Sequence, residues 1–265
     1  MKVLYREIQM IPAKNWKEKL SLEKQLIDKE ISMGYPEPRL LRPLFGGEKA
    51  ELTRVYEQIF TSYIKFAEFI ADCIKKPGLA DLVEKNHNLA TEGRCELFYI
   101  DGDSPVPRWM AAVSEKKFSD SEMKKPLECH PTEPLNPERI RENIKNGKLR
   151  IMYRLIQEVP KNKWAEKFEQ ERISDEVEAL TGAPLPMRYR SMFGSQISQL
   201  RFNEREYESL EDFCVSFEDF IFVKDAANEK AMEAEIRRQS FFNWEREEIY
   251  VVDSDSYMPL WMNEV

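Results

Sequence analysis

The residues of this chain that could do chemistry are charged side chains set in strand-like runs, and they come in pairs. Arg6 and Arg154, Arg42 and Arg190, Arg54 and Arg201, and Glu57 and Glu204 each stand among Ile, Val, Leu, Tyr or Phe. An arginine offers a planar fork that suits a carboxylate or an enolate, and a neighbouring Glu or Tyr can move a proton. Arg6, Arg42, Glu57, Tyr99, Arg154, Arg190, Glu204 and Tyr250 are therefore the candidate ligand-binding residues, with no catalytic residue singled out among them. The competing reading is structural. A charge on a buried strand must be paired, and an internal Arg–Glu network would fix how two halves meet. Alternation puts Arg6 on the face opposite Tyr5 and Gln9, and Arg42 on the face of Leu40 and Leu44. The pattern leaves open which face looks inward.

Other chemistries find less support. Histidine occurs twice, as His87 and His130. A haem protein needs an axial ligand, and His87 in Asn86-His87-Asn88 reads as a solvated polar residue. Cys73, Cys95, Cys129 and Cys214 show no ligand spacing, so they read as reduced, inert thiols. No metal and no cofactor is expected. Asp101, Asp103 and Ser104 recur as Asp253, Asp255 and Ser256. Paired carboxylates could hold Ca²⁺ or Mg²⁺, but Asp and Ser after a strand also suit a turn, and no third carboxylate accompanies them. Trp109 and Trp261 read as part of a hydrophobic tail packing on the other half, or as an aromatic wall of a pocket.

The elements that must position these residues come from an internal repeat. Tyr5-Arg6-Glu7-Ile8-Gln9 returns as Tyr153-Arg154-Leu155-Ile156-Gln157, and Pro12, Trp16, Glu18 and Lys19 return as Pro160, Trp164, Glu166 and Lys167. Gly34, Pro36, Pro38, Arg42, Phe45 and Gly46 return as Gly182, Pro184, Pro186, Arg190, Phe193 and Gly194. Over Val3 to Leu52, 17 of 50 ungapped positions are identical, where ordinary composition gives about 3. Further on, Tyr99 is matched to Tyr250, and Pro107-Arg108-Trp109-Met110 to Pro259-Leu260-Trp261-Met262. The chain thus divides into a first repeat over 1–110, a Pro-rich connector over 111–149 with a short helix at 138–145, and a second repeat over 150–265.

Each repeat reads strand, helix, strand, strand, helix, strand. In the first these are Val3–Ile11, Lys14–Met33, Pro38–Phe45, Leu52–Phe60, a helix capped by Ser62, and Glu96–Asp101. Gly46-Gly47 supplies the hairpin turn. The first helix is expected to bury Trp16, Leu20, Ile27 and Ile31, and the second Ile64, Phe66, Phe69, Ile70, Cys73 and Ile74. In the second repeat the elements are Ile151–Val159, Trp164–Leu180, Met187–Phe193, Leu200–Tyr207, one helix from Leu210 to about Phe242, and Glu248–Asp253. This βαββαβ order is the ferredoxin-like unit, whose helices cover one sheet face and leave the other for a second sheet.

Composition agrees with a folded chain of the α+β class. Of 265 residues 42 % are hydrophobic and 33 % charged, enough apolar surface for real cores. The formal net charge of −8 opposes nucleic acid and anionic membranes, and no apolar run is long enough to span a bilayer. The N-terminus has no apolar signal segment, so a cytoplasmic protein is expected. A small-molecule ligand is the expected partner, and self-association is left open.

With these elements in place the chain resembles the dimeric α/β-barrel superfamily, and within it the NIPSNAP-like proteins. The likeness lies in the Tyr-containing first strand stopped by Pro12, the helix ended by Gly34, the hairpin strand ending Phe45-Gly46, and the aromatic second helix. It implies two tandem ferredoxin-like units closing an intrachain barrel. It also implies small-molecule chemistry: a cofactor-independent oxygenase or isomerase acting on a small organic acid or enolisable compound. A filled barrel that is structural or partner-binding and non-catalytic is the alternative, because the fold hosts many functions.

Overall fold

Period-two alternation makes β1, Val3–Met10, a strand with two working faces: Leu4, Arg6 and Ile8 point one way, Val3, Tyr5, Glu7 and Gln9 the other. The architecture follows from giving each face a different partner. The computed structural model describes residues 1–45, 53–102, 104–124, 142, 145–181, 183–193, 199–222 and 225–253. After β1 come α1 (Trp16–Ser32), β2 (Arg39–Phe45), β3 (Thr53–Phe60), α2 (Tyr63–Lys75), α3 (Leu79–His87) and β4 (Glu92–Ile100). Two short helices, α4 (Arg108–Val113) and α5 (Asp120–Lys124), precede the second set. That set is β5 (Ile151–Glu158), α6 (Trp164–Glu178), β6 (Met187–Phe193), β7 (Leu200–Tyr207), α7 (Leu210–Phe222), α8 (Ala226–Arg238) and β8 (Glu245–Val252).

The eight strands close into one antiparallel barrel in the order β1-β3-β2-β8-β5-β7-β6-β4. The order is unchanged when β1–β4 are exchanged with β5–β8. Two seams join these halves: β2 to β8, with Leu41 opposite Val252, and β4 to β6, with Ile100 opposite Tyr189. An eight-stranded barrel is just wide enough inside for side chains to fill it. Here two apolar clusters do so. One holds Leu4, Phe98, Ile100, Ile156, Tyr189 and Phe202, the other Leu41, Val55, Met152, Tyr250 and Val252. The outer face of each half packs on its own helices, as in the cluster of Val3, Tyr5, Tyr56, Phe60, Phe69 and Leu97. No helix among the described residues is long and apolar enough to cross a membrane.

Several expected elements shift for physical reasons. The strand expected at Glu96–Asp101 starts at Glu92, because β1 pairs with it along its whole length from Met10. The single helix expected from Leu210 is two helices, since Asp225 caps a fresh one at Ala226. In the first half Gly78, at φ +81°, makes the equivalent break. Ser62 does cap α2, accepting from the Lys65 N–H at 3.1 Å. Ile64 and Ile74, however, are 69 % and 70 % exposed and not part of a buried stripe. The buried face of α1 is Trp16, Lys19, Glu23, Leu26 and Glu30, with Ile31 outside it. The register also corrects one match. Arg6 pairs opposite Glu96 and Arg154 opposite Glu248, so Tyr250 is equivalent to Phe98 and not to Tyr99. The Gly46-Gly47 turn, Trp261 and most of the connector helix lie outside the described residues.

Because two hydrogen-bonded seams join the halves, nicking the chain near Pro131–Pro137 leaves them associated. Gel filtration of the nicked protein is expected to give one species of unchanged size; separated halves without denaturant would show that the covalent link holds them.

Candidate functional site

The inward residues of β1, β3, β5 and β7 bring four charges together at the barrel centre. Arg6 Nε lies 2.5 Å from Glu57 Oε1 and Arg6 Nη2 2.7 Å from Glu204 Oε1. Arg154 mirrors this, with Nε 2.7 Å from Glu204 and Nη2 2.7 Å from Glu57. All four side chains are 1 % exposed. Each guanidinium also stacks on an aromatic ring, Arg6 on Phe98 at 4.7 Å and Arg154 on Tyr250 at 4.5 Å. Arg39 joins from β2, bonding Glu204 at 2.7 Å and Glu57 on its free oxygen. Burial disfavours the Glu57 anion, but Arg6, Arg39 and Arg154 outweigh it and hold the carboxyl well below the usual range.

Arg42 and Arg190 are not part of this ring. They lie on the opposite face of their strands, at the two seams. Arg190 meets Asp101 at 2.5 Å, and Arg201 bonds the other oxygen of Asp101 while holding Glu171 of α6. Arg42 and Arg54 share Asp253 in the same way, with Arg54 holding Glu23 of α1 at 3.1 Å. Asp101, in the turn that follows β4, and Asp253, just past β8, thus receive arginines across the seams, while Asp103, Asp255 and Ser256 lie outside the described residues. Tyr99 lies beside Arg190, its ring 5.7 Å away. Of the eight candidates, Arg6, Glu57, Arg154, Glu204 and Tyr250 converge, and Arg42, Arg190 and Tyr99 sit elsewhere.

Open space lies outside the barrel wall, between the N-terminal sheet and its helices. Two adjoining chambers of about 330 Å³ each share Glu7, Gln9, His87 and Cys95. The inner one is walled by Leu26 of α1, Phe69, Ile70 and Cys73 of α2, Val83 of α3, and Tyr5 and Tyr56 of the sheet. The outer one is rimmed by Ala90, Thr91, Glu92, Gly93 and Arg94. At their junction His87 Nε2 lies 2.7 Å from Glu7 Oε1. Tyr5 donates to the other Glu7 oxygen at 3.3 Å and lies 3.2 Å from Cys95 Sγ. Burial opposes the Glu7 charge, yet the His87 hydrogen bond wins and lowers its pKa; the same bond raises His87. His87 also ends α3, where the helix dipole favours a cation. Deeper in, burial lifts Glu30 to about 7 and drops Lys19 to about 8. Asn86, 5 % exposed, keeps a buried side-chain oxygen without a partner.

His87 is therefore exposed, as the sequence suggested, and at the same time paired with Glu7. No motif announces this site. The usable signal was the difference between the copies: Glu7 against Leu155, Tyr56 against Asn203, and a His87 without a counterpart. In the C-terminal half two further arginines enter the same layer. Arg188 bonds Asp175 and Asn203 at 2.6 and 2.7 Å, and Arg205 bonds Glu178.

No family model matches the chain, and no curated protein is similar to it in sequence. Solved structures are similar in shape. A candidate monooxygenase from Lactobacillus acidophilus NCFM superposes with a TM-score of 0.53 at 10 % identity, over 94 % of this chain and 93 % of that one. Another from Fusobacterium nucleatum gives 0.54 at 10 % identity, over 95 % and 93 %. The fold is that of the dimeric α/β barrels. At such identity the likeness is one of fold alone, here closed within one chain.

Removing Glu57 from the ring leaves Arg6, Arg39 and Arg154 crowded on the one remaining carboxylate, Glu204. Glu57→Leu is expected to cost about 3–5 kcal/mol in denaturant unfolding, whereas replacing Arg6, Arg154, Glu57 and Glu204 together by apolar residues costs far less. Equal losses would show that the ring stabilises outright. The Glu7–His87 pair has a pH signature. His87 is raised above its ordinary value, so its contribution is complete below that value and is lost as pH rises through the folded one. Glu7 is lowered, so its contribution is lost as acid approaches its folded value. His87→Ala should therefore destabilise most near pH ~6 and least near pH ~9. A loss independent of pH in thermal unfolding would deny the ion pair.

Proposed function

We propose that this chain is a tandem duplication of one ferredoxin-like unit, over 1–110 and 150–265, that binds a small organic molecule in the N-terminal sheet–helix cavity. The observation that carries the reading is the Glu7–His87 pair, 2.7 Å apart at the junction of the two chambers. An ionised carboxylate held by an imidazolium, with Tyr5 on its other oxygen, suits removal of a proton from carbon and its return elsewhere. Leu26, Phe69, Ile70 and Val83 favour a largely apolar body. The spare Asn86 oxygen favours a hydroxyl or N–H on the ligand, and Glu30, lifted to about 7, can hold a proton near neutrality. The substrate class is an enolisable compound, and the reaction class is isomerisation or cofactor-independent oxygenation. The two fold neighbours named as candidate monooxygenases are compatible with the second. The NIPSNAP-like resemblance supports the fold and specifies no reaction.

On this reading the barrel charges Arg6, Glu57, Arg154 and Glu204 are scaffold. Their oxygens and guanidinium nitrogens are spent on one another and on Arg39, Glu96 and Glu248, which favours the structural side of the sequence expectation for the barrel interior. The chromogenic base probe 5-nitrobenzisoxazole tests the site, because an apolar pocket holding a carboxylate accelerates its ring opening. Glu7→Gln should cut the acceleration by about a hundredfold or more, the range of a single acid–base contribution, and His87→Ala should lower it by less. Unchanged rates in a folded Glu7→Gln protein would sink the assignment. Native mass spectrometry of protein from its own source, looking for a retained small molecule, is the companion test.

A further inference from the structure

The cations that line the inner chamber are already engaged in its wall. Arg54 gives Nε and Nη2 to Glu23 and Nη1 to Asp253. His87 Nε2 is held by Glu7 at 2.7 Å. Lys19 donates to Gln9 and is drawn towards Glu23 and Glu7. Among the described residues no guanidinium fork is left to receive a carboxylate from the chamber.

The wall's other titratable groups show how the space treats charge. Glu30 is 1 % exposed, and its Oε2 accepts from Tyr56 and, at 3.0 Å, from Gln58. Burial lifts it to about 7 against those two bonds, with Glu7 and Glu23 adding to the rise. Burial pushes the Cys73 thiol up to about 12, helped by Glu30, Glu7 and Asp72. Burial drops Lys19 to about 8 although Glu23 and Glu7 pull it back up. Acids rise and the base falls, so the chamber favours the uncharged form of either sign. Glu7 stays ionised because His87 is bonded to it. A charged ligand would meet the same loss of hydration, and an anion would meet Glu7 and Glu23 besides.

One polar group of the lining is unspent. Asn86 is 5 % exposed, and its side-chain oxygen is buried without a partner. Such an atom is costly to leave bare, and a ligand hydroxyl supplies what it lacks. The rest of the lining, Leu26, Phe69, Ile70 and Val83, suits an apolar frame.

We propose that the inner chamber selects an uncharged ligand with an apolar body and a hydroxyl bound by Asn86, and rejects carboxylates and ammonium ions of the same shape. This rests on the reading of the cavity as a ligand site and narrows its substrate class to neutral compounds.

Four compounds on one bicyclic frame test it by calorimetric titration of the full chain: naphthalen-2-ylmethanol, 2-naphthoate, naphthalen-2-ylmethylammonium and 2-ethylnaphthalene. Near pH ~7 the acid and the amine are ionised. The alcohol should bind at least about tenfold more tightly than either ion. Asn86→Leu should shift the affinity ratio of alcohol to hydrocarbon about tenfold against the alcohol, because one hydrogen bond is lost. If Asn86→Leu does not fold, the comparison on the unaltered chain decides. Either ion binding as tightly as the alcohol would overturn the proposal, and so would an unchanged ratio in folded Asn86→Leu. If none of the four binds, the ligand-site reading itself fails and this inference falls with it.

Discussion

Everything in this barrel is arranged around four charges that cannot be left alone. Arg6, Glu57, Arg154 and Glu204 sit where water does not reach, and each carboxylate needs an arginine from both halves. A half barrel by itself would expose one arginine and one glutamate on an apolar sheet, satisfying each only in part. Joining the halves completes both pairs at once. Such a buried network adds less net stability than its bonds suggest, because desolvation offsets much of the attraction. What it adds here is register. A slip of one residue in β1 or β5 would turn the arginine out of the ring and put Tyr5 or Tyr153 inside.

The seam clusters extend the same logic outward. Arg42 reaches from the first half to Asp253 of the second, and Arg190 from the second to Asp101 of the first. Arg54 and Arg201 then tie these aspartates to Glu23 and Glu171 on the long helices. Sheet, helix and opposite half are locked by one branched set of ion pairs in each direction. Between sheet and helices the two halves differ. One fills it with Arg188 and Arg205; the other keeps Glu7, Tyr56 and His87 around a cavity.

The sequence carried the architecture well and the site poorly, for one reason. Repetition exposes what both halves need. Arg6, Glu57, Asp101 and their partners recur because each copy must complete the other, so a search for matches finds them and places the strands that hold them. Helix α1 shows the limit of periodicity. Its apolar residues Ile27 and Ile31 suggested the buried face, whereas Lys19, Glu23 and Glu30 lie under it, paired through the seam and the cavity. A site present in only one copy leaves no repeat. His87 is exposed as its polar surroundings suggest, and nothing local tells that α3, which starts after Gly78, brings its last residue to within 2.7 Å of Glu7.

The seam and the cavity are also physically continuous, which ties the scaffold to the chemistry. Arg54 holds Asp253 and Glu23 and at the same time lines the inner chamber. Lys19 contacts Gln9 in the same wall. Burial lowers its pKa to about 8; Glu23 and Glu7 pull it back up, and Arg54 pushes it further down. The second half sets Lys167, at the matching position, against Gln157 at 2.8 Å without the Glu7–His87 pair. Each lysine thus lies against the glutamine of its own half's first strand. What distinguishes the N-terminal half is the layer above it, where Glu7, Tyr5 and His87 face the chambers. Arg54 is thus the side chain that the seam's ion pairs and the lining of the inner chamber have in common.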